Sequence, residues 1–403
     1  MARLGQVSFE LASVSANVEI TDTNNSPSIA TSPIFSGDKS VFINAFSNIR
    51  TGLCYVFASF ATSGPIFVNF KLFIRSRPTA ESTFLLLHDG SSVSSPGATV
   101  VKLTMDTTGA VLLYDEDSVI GSASDVLALG FWHRVEVQFD KTAAAGSHIV
   151  NAKINGTQFA GATDRSLSAG ISAVNLGGNL VAETSSEIFY VEDITINNGS
   201  GSFQNTYSGA GKIIHLRPNA AGDNTGWESG TGSSFAEVDE VTPDDATTYL
   251  QDLLGTETSD FNIDATPNLI SATDPISVVA VGFRGAAATA LSADPFVLRV
   301  KASAAGTVEE SANITFTATA YVTNAVATPR NYALVLYDLP GASTVGWTKA
   351  DLDTAQIGVR ATALGATGAR VSTLWLSVEY NPYERASGVY FPYLSQFNDG
   401  KPI

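Results

Sequence analysis

The sequence predicts an all-β chain folded as two sandwiches. The first observation is period-two alternation. Residues 65–76 (PIFVNFKLFIRS) and 131–139 (FWHRVEVQF) place side chains alternately on two sides of an extended backbone, which suits sheets with one buried face. The second is turn chemistry. Thr108-Gly109 and Asn155-Gly156 each sit between two strand-like runs, and glycine there supplies the positive φ that tight hairpins need. The third is composition. Charged residues make up 15% of the chain while Gly numbers 34, so Ser, Thr, Asn and Gly dress the surface and strong helix formers are scarce. A chain of 403 residues is long for one core, which predicts two domains.

In order, residues 6–19 form a first strand and 21–37 (TDTNNSPSIATSPIFSG) a polar, proline-containing loop. Strands follow at 41–49, 54–61, 65–76, 84–88 and 99–105, then a hairpin through Thr108-Gly109. Further strands are expected at 131–139, at 148–154 leading through Asn155-Gly156, at 187–197, and at 211–216. About ten strands with short turns need two stacked sheets to cover their apolar faces. Residues 1–218 are therefore the first sandwich. Residues 219–261 are expected to be a connector, with Trp227 packed on one sandwich and an outward acidic run of Glu237, Asp239, Glu240, Asp244 and Asp245. Six strand candidates (276–284, 296–302, 313–322, 332–337, 359–362, 371–380) fill a second, smaller sandwich at 262–382. Within it, 348–355 (TKADLDTA) reads as one short helix with Thr348 as N-cap and Asp351 at the third helical position. The tail 383–403 carries Tyr390, Phe391, Tyr393 and Phe397 between prolines. It is expected to be an arm that packs on a neighbouring subunit.

Composition also bounds function. Thirty-nine acids against 22 bases give a net charge of −17, with no basic run, which argues against nucleic-acid binding. The sequence shows no apolar run long enough to span a membrane and no signal-peptide pattern at its start. Cys54 is the only cysteine and lies in an apolar run, so no intrachain disulfide forms. Assembly in a reducing cytoplasm is the expectation.

Several phrases carry a family resemblance. Gly130-Phe131-Trp132-His133-Arg134-Val135 resembles the G-x-W-H-x-V strand of laminin-G or concanavalin-like jelly-roll domains. VNAKINGTQFAG (150–161) resembles their following hairpin, with Asn155 for the usual Asp. Tyr190-Val191-Glu192-Asp193-Ile194 resembles their closing strand, with Glu192 for the first Asp. The order IIHLRPN, GDN, GW, AEVDEVTPDDATTY and GWTKADLDTAQIGVRA is similar to tailed-phage virion proteins in which such a sandwich precedes a second small one. The resemblance implies a laminin-G/concanavalin-like jelly roll at 1–218. It also implies a non-enzymatic structural component of a bacteriophage virion: tail, fibre, head–tail connection or head decoration. Such a component would assemble in the host cytoplasm, form a homo-oligomer and touch other virion proteins. The alternative is a carbohydrate-binding adhesin for host surface glycan. No cofactor is expected, although laminin-G domains bind calcium at one rim.

Candidate chemistry is sparse. Asp106, Asp115, Asp117 and Asp193 are the calcium candidates, since calcium takes oxygen ligands. None has calcium-loop spacing, and a solvated loop acid is the simpler reading of each. Trp132 is expected in the core and His133 on the opposite, exposed face. Glu192 and Asp193 could suggest the acid and base of a glycoside hydrolase, but neighbours on a regular strand face opposite ways, which rules them out as a pair. No phosphate loop, metal-type Cys/His cluster or Ser-His-Asp set stands out.

Overall fold

The computed structural model describes residues 3–382 apart from 12–13, 15–21, 26, 57–63, 230–233, 246, 253–254, 290–294, 324–331, 343 and 364–367. The aromatic arm with Tyr390, Phe391, Tyr393 and Phe397 lies outside the described residues.

The chain is all-β, as the alternation predicts. The first fifteen strands are β1 (Arg3–Val7), β2 (Asp22–Asn24), β3 (Ser28–Ala30), β4 (Ser40–Ala45), β5 (Thr51–Val56), β6 (Ile66–Ser76), β7 (Ser82–His88), β8 (Thr99–Met105), β9 (Val111–Asp115), β10 (Ser118–Ile120), β11 (Trp132–Asp140), β12 (His148–Ile154), β13 (Thr157–Arg165), β14 (Ala173–Gly178) and β15 (Glu187–Asn198). They form an eight-stranded sheet, β13-β12-β11-β6-β15-β4-β3 with β1 also on β15, and a seven-stranded sheet, β10-β9-β8-β7-β14-β5-β2. The inner faces enclose one core that includes Phe70, Phe84, Val137, Phe139 and Phe189. Both expected hairpins are present, with Gly109 and Gly156 at positive φ.

The remaining strands are β16 (Lys212–Leu216), β17 (Pro218–Thr225), β18 (Glu228–Ser229), β19 (Leu250–Gln251), β20 (Thr258–Ile263), β21 (Ile276–Ala287), β22 (Phe296–Lys301), β23 (Glu309–Glu310), β24 (Val322–Thr323), β25 (Leu334–Leu336), β26 (Gln356–Ala361) and β27 (Ala369–Tyr380). One sheet runs β18-β19-β27-β21-β24 with β16 on β27 and β25 on β21; the other runs β17-β20-β26-β22-β23. The helix is α1 (Lys349–Leu352), closed by the expected capping box between Thr348 and Asp351.

The domain boundaries need correction. β16, expected to end the first sandwich, pairs with β27 along its whole length and belongs to the second. The expected connector 219–261 is likewise second-sandwich structure: β17 pairs β20, and β19 pairs β27. Trp227 is buried in that core beside Phe296, and its indole N–H donates to the Glu257 carbonyl at 3.1 Å. Glu237 does not face outward. It is 1% exposed on a 3-10 turn (Ser234–Glu237), accepting from Ser229 Oγ and the Tyr249 N–H. A strand's pattern gives its faces but not its partner, so the break at Pro218 read as a domain end when it is a strand-to-strand step. Residues 313–322 are not a continuous strand; Ile314 makes an isolated bridge to Phe296, and β24 begins at Val322.

The sandwiches are joined face to face, because the outer side of the eight-stranded sheet packs on the outer side of the sheet holding β27. Arg3 on β1 forms an ion pair with Glu379 on β27, and both are almost fully buried. Gln6 Nε2 donates to Ser377 Oγ at 2.8 Å, and the Arg3 N–H donates to the Tyr337 hydroxyl at 3.1 Å. Leu11 enters a small apolar cluster with Ala280, Tyr332 and Trp375. Gly282 lets the Trp375 indole lie flat on its strand, since a Cβ there would sit 2.1 Å from a ring carbon.

Candidate functional site

The junction gathers a cluster of ionisable groups. Its origin is a β-bulge in β15. Glu192 pairs with Lys71 and Thr195 with Asn69, so two residues of β15 oppose one of β6, and Asp193 takes a φ of 47°. A bulge breaks the alternation of faces. Glu192 and Asp193 therefore turn toward the same hydroxyl, that of Ser36, which corrects the expectation that adjacent strand residues must diverge. Ser36 Oγ lies 3.1 Å from Glu192 Oε1, 2.7 and 2.8 Å from the Asp193 oxygens and 2.9 Å from the Ile213 carbonyl oxygen. One hydroxyl carries one proton to donate, so a proton on a carboxyl is needed to satisfy this set. The N–H groups of Phe35 and Ser36 hold Glu192 at 2.6 and 2.7 Å, and the Ile213 N–H reaches Asp193 at 3.3 Å.

Burial governs the electrostatics. Glu192 is fully buried and Asp193 nearly so. Desolvation lifts the Asp193 carboxyl to about 7 despite the nearby Lys71 charge, and desolvation with the Asp193 charge lifts Glu192 well above the usual carboxylate range. Glu10 is pushed up to about 8, chiefly by burial, although it accepts the Asp38 N–H. Its main-chain oxygen takes hydrogen bonds from Lys39 Nζ and Arg217 Nη2, each at 3.1 Å, which ties the first sandwich to the arginine after β16. Lys71 is 2% exposed, its Nζ has no hydrogen-bond partner, and burial lowers the amine to about 8. The Phe35 ring centroid lies 5.2 Å from Lys71 Nζ and 4.9 Å from that of Lys212. His215 stacks on Trp375, and burial holds it neutral.

Beside this cluster an aromatic row crosses the outer face of the same sheet. Trp132 on β11 opposes Phe73 on β6, Phe73 opposes Tyr190 on β15, and Tyr190 opposes Phe42 on β4. Consecutive ring centroids are 5.5, 5.7 and 5.2 Å apart. Trp132, Phe73 and Phe42 are half-buried, and exposed Ile34, Leu129 and Phe131 lie near the Trp132 end in sequence or by contact. This inverts the expected faces of β11. Trp132 is outside, whereas His133 is buried with Val135 and Val137, its Nε2 2.9 Å from the Ala128 carbonyl oxygen, and burial lowers its proton affinity. Both residues have an apolar neighbour in sequence, and it is Val135 and Val137 that mark which side of the strand is buried.

The calcium candidates are not brought together. Asp106 caps its own hairpin through Thr108 and Ala110, Asp115 pairs with Arg165 at 2.5 Å, Asp117 lies 3.7 Å from Lys102, and Asp193 sits in the junction. Among the described residues no group of three or more His, Cys, Asp or Glu side chains is arranged to hold a metal. Sequence reasoning missed Glu10, Ser36, Lys71 and Arg217. Lys71 did leave a signal, as a lone cation within the apolar run IFVNFKLFI.

No family model and no curated protein matches the chain. Solved structures do. A Trypanosoma rangeli sialidase in complex with the inhibitor DANA is 14% identical over 42% of this chain and 26% of its own, at a TM-score of 0.32. The alginate lyase AlgAT5, of polysaccharide lyase family 7, is 15% identical over 40% of this chain and 78% of its own, at 0.30. The Caenorhabditis elegans galectin LEC-6 is 16% identical over 38% of this chain and 94% of its own, at 0.25. The chain thus spans about a quarter of the sialidase's length. Two of these three are enzymes, which runs against the expectation of a non-enzymatic chain. At such TM-scores the likeness assigns no activity or substrate to this chain. The architecture is an all-β sandwich with jelly-roll-like neighbours.

Proposed function

We propose that the chain is a structural component of a bacteriophage virion, in the tail, a fibre, the head–tail connection or the head decoration, acting through contacts of its outer surfaces. The observation that carries this reading is the junction. A buried ion pair, shared hydrogen bonds and an apolar cluster fasten the two sandwiches into a single body suited to bear load. The order of sequence phrases that resembles virion proteins supports it. Its partners in this reading are copies of itself and other virion proteins, with the aromatic arm at 383–403 as a contact. Purified particles provide the test: removing residues 383–403 weakens assembly while the monomer stays folded. Unchanged assembly would remove the arm from the account.

A second reading is a carbohydrate-binding adhesin, favoured by the aromatic row. Flat rings on an outer sheet face offer stacking surfaces for sugar rings, and Arg75 beside the Tyr190 hydroxyl offers polar contacts. A glycan array with the purified chain distinguishes the two readings. Binding that is lost in Trp132→Ala supports the adhesin, and no binding to any glycan removes it.

A further inference from the structure

We propose that Lys71 and Asp193 join through their side chains in an intramolecular amide, formed by the folded chain itself, which clasps β6 to the bulge of β15. The inference is independent of the virion and adhesin readings.

Three features of the junction point to it. The first is a nucleophile. Lys71 Nζ is buried without a hydrogen-bond partner, packed against the Phe35 ring. Burial weakens its hold on a proton, so a neutral amine is within reach of ordinary pH. The second is an electrophile. Lys71 and Glu192 are directly opposite in the ladder, and the bulge puts Asp193 on the same side as Glu192. Directly opposed side chains have Cβ atoms about 4.5–5.5 Å apart; Lys71 Nζ forms no hydrogen bond to either carboxyl in this structure, so a change of lysine rotamer is what brings it onto Asp193. Asp193 is the acid whose charge acts most strongly on Lys71, and the relation is mutual. Its carboxyl is held by Ser36 Oγ and the Ile213 N–H, donors that would stabilise negative charge on oxygen during attack. The third is a proton path. Ser36 Oγ touches both Asp193 and Glu192, so a proton can pass between Glu192 and the oxygen that departs.

The step balances without a cofactor. The neutral amine lone pair attacks Cγ of protonated Asp193, forming the C–N bond. The amine gives up a proton, which the Glu192–Ser36 pair delivers to the departing hydroxyl. The C–O bond breaks and water leaves. Reactant amine and acid become one amide and one water, with no change of oxidation state. Glu192, with both oxygens held by backbone N–H groups, is returned to its starting state. The dry site disfavours the reverse hydrolysis.

The test is the intact mass of the full-length chain, with a peptide map by tandem mass spectrometry. The expected result is a chain lighter by one water, with no tryptic cleavage after Lys71 and a branched peptide joining the Lys71 and Asp193 segments. Lys71→Arg and Glu192→Gln should each keep the full mass, and the peptide map separates this from loss of the first methionine. A wild-type mass equal to the sequence after prolonged incubation at pH 8 overturns the proposal. So does a water lost without linkage, as by a succinimide at another aspartate. Because the wild-type chain decides the matter, a variant that fails to fold leaves the result readable.

Discussion

Replacing Glu10 by Gln should flatten the dependence of stability on pH. Glu10 is 6% exposed and its carboxyl is lifted from 4.5 to about 8, with burial as the main cause and Asp38, Asp193, Arg217 and Lys39 as its charged neighbours. The folded chain therefore keeps a proton that the unfolded chain releases at about 4.5. Stability is fully present below the unfolded value and falls as pH rises through the folded one. At about 1.36 kcal/mol per pKa unit, the rise from 4.5 to about 8 sets a ceiling of about 5 kcal/mol on this loss, before water entry and local relaxation reduce it. Glu192 acts in the same direction, as does Asp193 in any chain where it is not joined to Lys71, so the wild-type slope contains more than Glu10. Lys71, where it remains a free amine, acts oppositely but mainly above pH 8, where its lowered value lies. Gln keeps the shape and an acceptor for the Asp38 N–H, at a cost of about 1 kcal/mol where the acid was already neutral. Urea unfolding at pH 5 and pH 8 reads the difference. The variant should be slightly less stable at pH 5 and lose less than wild type on going to pH 8. Parallel pH profiles for the two proteins would refute the reasoning, because Glu10 would then be ionised throughout.

Other perturbations follow from the same contacts. Arg3→Ala leaves Glu379 buried without its ion-pair partner and should cost about 3–5 kcal/mol in urea unfolding, whereas a loss near zero would mean that water reaches the pair. Gly282→Ala forces a methyl into the Trp375 ring and should cost about 1–3 kcal/mol, read as a lower melting temperature. Trp132→Ala removes a half-buried ring outside both main cores and should unfold at a denaturant midpoint much closer to wild type than Trp227→Ala, which empties a core site at about 3–5 kcal/mol.

How much of this was legible depended on whether the information is local. Alternation in residues 65–76 and 131–139, the Asn155-Gly156 turn and the Thr348–Asp351 cap are local, and the structure carries each of them. Pairing is not local. The run IIHL at 213–216 looks the same whether it closes one sheet or opens another, and it opens the second. The sequence misleads on the phase of β11 at Trp132 and His133, because a tryptophan is the stronger core signal in isolation while Val135, Val137 and Phe139 set the buried side. The junction cluster was beyond reach for a related reason. It needs an irregular step at Asp193, a loop residue, Ser36, from an unremarkable polar stretch, and Ile213 from the other sandwich. Bulges and loop insertions leave little imprint on hydrophobic periodicity.

The measurement closest to the central claim is the protein inventory of purified phage particles, quantified by mass spectrometry against a major capsid protein. A structural role predicts this chain at a fixed, reproducible number of copies per particle that survives high-salt washing. Absence from washed particles, with the chain present only in the host lysate, would contradict it.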